Sequence, residues 1–526
     1  MASRYCRSTV IRAVLPWLAA IAGGILQFLG FVGFDQFYLE WIFLVPVLWA
    51  IRDQSPGRAF FIGWVAGIVG NAGSSYWVIQ MFQEFSAMAW PFAALGLLLF
   101  TAAYGIVFAT WAWATRLITH GTSWNVAWVS PVVWTAVEKF CPEIFPAYLG
   151  ASQYKLIHVT QIAEVTGILG VTFLTVYLNA TIYAVIEGYV EKRRIVWRHV
   201  MIFVAVVTMV MIYGEIRIRA LDRQAAGAEK LTVGLIQTNR GASEKHKNPG
   251  MLLLEHQEMS KTLAGTVALD LIVWPEDAGR VDLTSREGQL PPYVLGDLRT
   301  PTLLGAILQL RRSGKIRDYN TAVLADGRGR ILGTYEKRVL VPFGEYIPCG
   351  DTFPWLYTWS PYLSRFWPGE SDEPLQLGKH LLSVSICYED LFPGQISSLM
   401  RGERQSRIPD AMFNLTNDSW YGKSIEPMQH LVLASFRAIE QRRSLVRATN
   451  TGVSAFVDPV GRLVKCSGLW TKDALVDRIP LMLGRTVYAV MGDWIAWVCA
   501  IISIVGMSRS IRRVQMGRSE RSKVTP

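Results

Sequence analysis

At 526 residues, with 51% hydrophobic and only 18% charged residues, the chain is too long for one ordinary core and too apolar to be solvated by water alone. Its formal net charge of +11 would suit a nucleic acid, but many of the basic residues cluster in short segments between apolar runs, so no nucleic-acid role is expected. The six cysteines, Cys6, Cys141, Cys349, Cys387, Cys466 and Cys499, are scattered and form no CxxC, which argues against a zinc or redox motif; no metal and no cofactor are expected.

A spanning helix needs about 20 mostly apolar residues. Seven stretches before residue 220 meet or approach that: roughly 9–31, 36–51, 59–80, 88–115, 124–140, 159–187 and 197–216. An eighth lies near 487–507, and the second and fifth are short. The first run continues past a plausible signal-peptide core and others follow it, so no cleavable signal is expected.

The basic residues order these spans. Arg4, Arg7 and Arg12 precede the first, Arg52 and Arg58 lie between the second and third, and Arg116 follows the fourth. Lys192, Arg193, Arg194 and Arg198 lie between the sixth and seventh, and "RSIRRVQMGRSERSK" follows the eighth. The alternate loops "FVGFDQ" and "MFQEFSAM" carry no Lys or Arg. The positive-inside rule then places both termini in the cytoplasm. The expected division is a membrane domain over 1–217, an extracytoplasmic domain over 218–485, a last span over 486–508 and a basic cytoplasmic tail over 509–526. In a bacterium the middle domain faces the periplasm, which argues against ATP or acyl-CoA as substrates. The spans either anchor this domain or help bind lipid. Glu138 and Glu164 read as span ends or lipid-headgroup contacts.

From about residue 230, short strand-like runs take over. "LTVGLIQT", "LDLIVWPE", "TPTLLGAIL", "HLLSVSICYE" and "DAMFNLTND" read as mostly buried strands. "YNTAVLADGRGRILGTYEK" reads as a hairpin turning at Asp326-Gly327, and "SAFVDPVGRLVKC" as a second one. "MLLLEHQEMSKTLAG" and "EPMQHLVLASFRAIEQRR" carry helical patterns. Strands alternating with helices argue for a layered α/β domain.

Glu276, Lys337 and Cys387 each end one of these strand runs. In open α/β sheets, sites gather beyond the carboxyl ends of strands. The three side chains suit acyl transfer through a thiol. The thiolate is the nucleophile, a carboxylate can take its proton, and an ammonium lowers the cost of thiolate and oxyanion. Each has a plainer reading when taken singly: Cys387 as inert core packing, Glu276 as a turn carboxylate, Lys337 as a solvated charge. Cys349 and Cys466 share the oxidising compartment with Cys387, and could pair with each other or stay buried.

"IVWPED", "YEKRVLVPFGEYIP", "SVSICYED" and "FNLTNDSWYG" occur in that order, and the set resembles the nitrilase superfamily with its Glu–Lys–Cys triad. With "QHLVLASFRAIEQRRSLVRATNTGVSAFVDPVGR" and the flanking spans, the chain resembles the apolipoprotein N-acyltransferases, the membrane-bound members of that superfamily. The resemblance implies a multi-span α-helical membrane bundle fused to an α/β four-layer α-β-β-α sandwich. It implies Cys387 as nucleophile, Glu276 as general base and Lys337 as oxyanion and thiolate stabiliser. Glu345 would orient Lys337 or relay protons. Tyr388 and Glu389 match the pair flanking the cysteine. Asn414 and Trp420 are either substrate-wall residues or plain loop residues. It further implies a phospholipid acyl donor, typically phosphatidylethanolamine, and a diacylglyceryl-modified apolipoprotein as acceptor, both reached from the bilayer of the inner membrane.

The aromatic-rich segment 352–369, "TFPWLYTWSPYLSRFWPG", is expected to form a mobile flap that touches lipid, with an aromatic core loop as the plainer reading. Two positions depart from the family pattern. Lys245-His246 stand where an aromatic residue is expected, and "WPEDAGR" lacks the usual proline after the glutamate. Two rivals remain: a membrane-anchored amidase that passes the acyl group to water, and a transporter or scaffold without catalysis.

Overall fold

The computed structural model describes residues 2–191, 197–241, 249–282, 288–312, 315–358, 365–401 and 407–524. They fall into two units: Met1–Ile79 with Pro91–Glu215 and Asp493–Pro526, and Gln80–Trp90 with Ile216–Gly492.

The first unit is helical. Among the described residues, five helical stretches are long and apolar enough to cross a membrane: Ala13–Gly30, Trp90–Gly121, Ile168–Val190, Trp197–Gly227 and Trp494–Arg513. Helices Pro56–Ser74 and Val126–Phe140 accompany them. Each is capped at its start by a polar side chain: Ser55 accepts from Arg58 N and Asn125 from Ala127 N. Glycines let these helices approach closely. A Cβ on Gly67 would lie 2.7 Å from Gly105 Cα, and one on Gly63 would lie 2.6 Å from Phe108 O.

Several expected spans are broken. The stretch near 36–51 is a 3-10 turn, Phe37–Trp41, followed by the eight-residue helix Leu44–Ile51. That helix is about 12 Å long, far short of a bilayer core. Buried Asn179 satisfies the break, accepting from Leu44 N and donating to Glu40 O. The stretch at 88–115 is two helices, Trp90–Tyr104 and Ile106–Gly121, which meet at Gly105. The stretch at 159–187 starts in two one-turn helices before Gly167, at φ 68°, and becomes a long helix only from Ile168. The last span starts at Trp494, after a short helix Val487–Met491 and a left-handed Gly492.

Glu138 and Glu164 are engaged inside the bundle rather than offered to headgroups. Glu138 accepts from Trp134 Nε1, Leu149 N and the Thr172 hydroxyl. Glu164 is buried and accepts from the Tyr213 hydroxyl.

The second unit is a two-sheet α/β structure. Its first sheet holds β1 (Lys230–Gln237), β2 (Leu271–Val273), β3 (Gly279–Asp282), β4 (Thr302–Arg312), β5 (Lys315–Ala325) and β6 (Ile331–Glu336). The second sheet runs from β7 (Leu375–Leu377) and β8 (His380–Ile386) through β9 (Ala411–Thr416) and β10 (Leu445–Thr449) to β11 (Ala455–Val457) and β12 (Leu463–Cys466). The last strand, β13 (Asp473–Pro480), returns to pair antiparallel with β1. Both expected hairpins form, as β5–β6 and β11–β12. Each turn is held by an aspartate, Asp326 or Asp458, that accepts from backbone amides two and four residues on.

The two sheets meet through β1 with β10 and β5 with β8. Helix Pro249–Thr266 packs on β1, and helices Pro393–Arg401 and Glu426–Gln441 pack on β8 and β10. These are four layers, α-β-β-α. Every residue of β9 and β10 is buried, as strands covered on both faces must be.

Candidate active site

Three strand ends converge in the second unit. Glu276 follows β2, Lys337 follows β6 and Cys387 follows β8. Trp274, fully buried, anchors the first of these by donating its indole N–H to Ser260 Oγ at 2.8 Å. The turn it enters packs tightly: a Cβ on Gly305 would lie 2.6 Å from Glu276 Cα. Asn450 Nδ2 donates to Glu276 O at 2.8 Å.

Lys337, only 1% exposed, donates to Glu345 Oε1 at 2.9 Å and reaches Glu276 Oε1 at 3.4 Å. Asn320, on β5, donates to the same two oxygens, at 2.7 Å to Glu276 and 2.9 Å to Glu345. Glu345 Oε2 also accepts from Val341 N, which fixes its loop. Two carboxylates, one ammonium and one amide thus form a single buried cluster. A buried ammonium is tolerable only when so paired.

Cys387 is buried and has φ 50°, in the left-handed region that side chains with a Cβ rarely adopt. Such backbone costs about 1–3 kcal/mol and persists where surrounding contacts over-determine it. Those contacts are present. Glu389, two residues on, accepts from Ile386 N, Arg338 N, Val339 N and the Tyr335 hydroxyl, at 2.8 to 3.1 Å. It ties the cysteine turn to the backbone just after Lys337. Tyr388 is buried, its ring edge-on to Phe392 at 4.9 Å.

Burial pulls the Lys337 ammonium down, but the carboxylates of Glu345 and Glu276 outweigh it and hold the group above its ordinary value. Burial, then the Glu345 charge, raises Glu276, while Lys337 and Asn320 oppose the rise. Burial and the Glu276 charge push the Cys387 thiol well up, with Lys337 acting against them. The cluster therefore sets a thiol and a carboxyl group that burial disfavours as anions against one positive charge, Lys337, that favours both anions.

Asn414 does not face an open wall. It is fully buried behind Cys387, donating to Cys387 O at 3.2 Å and Ser385 Oγ at 3.1 Å. Trp420 lies half-buried in the short turn Asp418–Tyr421. In the aromatic segment, Phe353 and Trp355 are exposed, and residues 359–364 lie outside the described residues. Its far end is tied to the site: Phe366 N donates to Glu345 O, and Gly369 N to Lys337 O. Arg317 stacks its guanidinium on Trp367 at 3.7 Å. Lys245-His246 lie outside the described residues. Cys349 and Cys466 are free and exposed, so they neither pair nor pack inside.

Sequence reasoning passed over Asn320, Asn450, Asp390, Asp418, His430 and Arg447. For Asn320 and Arg447 the signal was a polar residue inside an apolar strand, as in "YNTAVL" and "LVRAT"; the other four lie outside strands. Asp418, Glu426 and His430 bring ligand-type atoms within 4.8 Å of one another. This trio is built as an ion-pair network rather than a metal cradle. Asp418 pairs with Arg447, and the two ring nitrogens of His430 face Asp418 and Asp390.

Residues 23–181 match the model of the apolipoprotein N-acyltransferase N-terminal domain, and residues 300–488 that of carbon-nitrogen hydrolase. An apolipoprotein N-acyltransferase of Geobacter metallireducens is 28% identical, over 94% of this chain and 95% of that protein. One from Azotobacter vinelandii is 29% identical, over 97% of this chain and 96% of that protein. The crystal structure of Saccharomyces cerevisiae Nit3, a member of branch 10 of the nitrilase superfamily, aligns with 48% of this chain and 90% of its own at 18% identity, with a TM-score of 0.36. With both domain models matched in order and relatives aligned from end to end, the chain is similar along its whole length to apolipoprotein N-acyltransferases, with a carbon-nitrogen hydrolase domain in its second half.

Proposed function

We propose that the protein moves a fatty acyl chain from a phospholipid, typically phosphatidylethanolamine, to the α-amino group of the diacylglyceryl-cysteine at an apolipoprotein N-terminus. The transfer passes through a thioester on Cys387. The observation that carries this reading is the buried Lys337 ammonium held between Glu276 and Glu345, with its charge acting on the Cys387 thiol.

In the first half-reaction Glu276 takes the thiol proton and the thiolate attacks the ester carbonyl. Lys337 stabilises the oxyanion. Collapse breaks the ester C–O bond, and Glu276 returns the proton to the leaving lysophospholipid oxygen. In the second half the lipoprotein amine attacks the thioester carbon. Glu276 takes the ammonium proton, the C–S bond breaks, and Cys387 regains its proton. Glu345 holds Lys337 in place throughout. One thioester lets two lipid substrates use one site in turn.

The long apolar helices support a multi-pass membrane protein, and lipid substrates agree with that. The finer reading is a bacterial inner-membrane protein with cytoplasmic termini and a periplasmic catalytic domain over about 218–485. The aromatic segment 352–369 would serve as its lipid-facing flap.

The test is to incubate the purified protein with acyl-labelled phospholipid and no acceptor. A hydroxylamine-sensitive label is expected on wild type and absent from Cys387→Ala. A diacylglyceryl peptide should then discharge it as an amide. An unlabelled wild type, or equal labelling of the variant, would overturn the thioester. Free fatty acid as the only product would favour the amidase.

A further inference from the structure

A second charged cluster lies directly behind the cysteine, and the proposed chemistry uses none of it. Ser385, Asn414 and Arg447 sit in register across the adjacent parallel strands β8, β9 and β10. Arg447 Nη1 donates to Asn414 Oδ1 at 2.8 Å and to Asp390 Oδ2 at 2.7 Å, and its Nη2 faces Asp418 Oδ2 at 3.3 Å. His430, on helix Glu426–Gln441, closes the ring. Its Nε2 is 2.7 Å from Asp390 Oδ1 and its Nδ1 is 3.1 Å from Asp418 Oδ1. All four charged residues are at most 2% exposed.

We propose that Arg447 is a positioning residue for Cys387: with Asp390, Asp418 and His430 it forms a clamp that holds the cysteine turn from behind, through Asn414. The inference rests on the reading of Cys387 as the nucleophile.

The contacts carry the argument. Asn414 is gripped by Arg447 on its oxygen and grips the Cys387 carbonyl with its nitrogen. Asp390, three residues after Cys387, is held by Arg447 on one oxygen and His430 on the other. The left-handed residue is therefore fixed at its own carbonyl and again at the end of its turn. A flexible lysine could reach one of these acceptors but not the fork of three that a planar guanidinium serves.

The charges also balance. Burial and the Arg447 charge lower His430, but Asp390 and Asp418 prevail and raise it to about 10, so it stays an imidazolium and donates from both nitrogens. Glu426, 3.9 Å from His430 Nδ1, is pushed well up by burial and then by the Asp418 charge. Two cations thus face two anions. Burying four charges is costly, and well-packed apolar residues would often serve stability as well. The cluster's connection to the Cys387 turn on two sides gives it a specific task.

The test separates positioning from stability. Arg447→Lys keeps the charge and loses the fork; Asn414→Asp keeps an oxygen for Arg447 and loses the donor to the Cys387 carbonyl. Each variant is compared with wild type in thermal unfolding, in acylation kinetics with phospholipid, and in the rate at which iodoacetamide alkylates the Cys387 peptide, followed by mass spectrometry. Positioning predicts that the acylation kcat falls about 100-fold in Arg447→Lys, with KM for phospholipid within about twofold, since a small misplacement of a reacting atom has that effect. Alkylation of Cys387 should slow in parallel, by about tenfold or more. Asn414→Asp should show the same ordering with smaller changes. If the folded variants keep wild-type alkylation and kcat while only the melting temperature drops, the clamp is structural and the proposal is overturned. If Arg447→Lys does not fold, Asn414→Asp alone decides by the same readouts. Alkylation needs no lipid, so the comparison holds even if wild type proves not to be acylated, which would instead overturn the thioester.

Discussion

Glu345 approaches Lys337 more closely than Glu276 does, at 2.9 Å against 3.4 Å. The ammonium is thus seated mainly by a residue outside the Glu–Lys–Cys triad, while the carboxylate proposed to move protons stands slightly off. Glu345→Gln removes the stronger partner. Lys337 should then be less firmly held as a cation, and the acylation rate should fall about 10²-fold, the scale of losing an oxyanion donor. Single-turnover kinetics with labelled phospholipid measure this, and a wild-type rate would show that Glu345 only packs.

Acid sensitivity follows from Glu276. It must be ionised to take the thiol proton, and burial followed by the Glu345 charge raises it above the ordinary carboxylate range. The acylation rate should therefore fade on acidification in a range above that of an exposed glutamate. Asn320→Ala deletes a donor that favours the ionised form. It should move this limb further toward neutral pH, and reduce the rate more in mildly acid than in mildly alkaline buffer. A limb that stays in place would show that Asn320 does not tune the base.

Glu389 accepts four hydrogen bonds in a fully buried site. Glu389→Ala strands those donors at about 1–3 kcal/mol each, less what water recovers, so a loss of about 3 kcal/mol or more is expected. Tyr335→Phe removes one donor and should cost about 1 kcal/mol. Thermal unfolding of the purified protein distinguishes them. Similar melting temperatures for both variants would contradict this ordering.

Gly305 tests the seat of the base. An added Cβ would meet Glu276 Cα and Pro275 O, both at 2.6 Å. Gly305→Ala should therefore displace the Glu276 turn, destabilise by about 1–3 kcal/mol, and lower the acylation rate at least tenfold while the protein stays folded. Unchanged kinetics would mean that the turn relaxes without moving the carboxylate.

The structure also shows why some features were legible beforehand and others were not. Glu276, Lys337 and Cys387 each follow an apolar run, so strand ends alone suggested that they meet. The β5–β6 hairpin was announced by Asp326-Gly327, which acts within five residues. The break at Leu44 was not, because Asn179 supports it from 135 residues away. By sequence Asn414 suits a substrate wall or a plain loop, since nothing local shows that Arg447 and Cys387 hold it from either side.

By itself, the sequence determined where the apolar stretches lie, the layered α/β class and that Glu276, Lys337 and Cys387 each follow a strand. These follow from periodicity and chemistry that act over one turn or one strand. Only the tertiary structure decided which carboxylate seats Lys337, that Cys387 takes a left-handed backbone, and that Arg447 and His430 stand behind it. Those relations depend on strand order and on side chains that meet across sheets, and burial makes each unpaired polar group costly enough to force one arrangement.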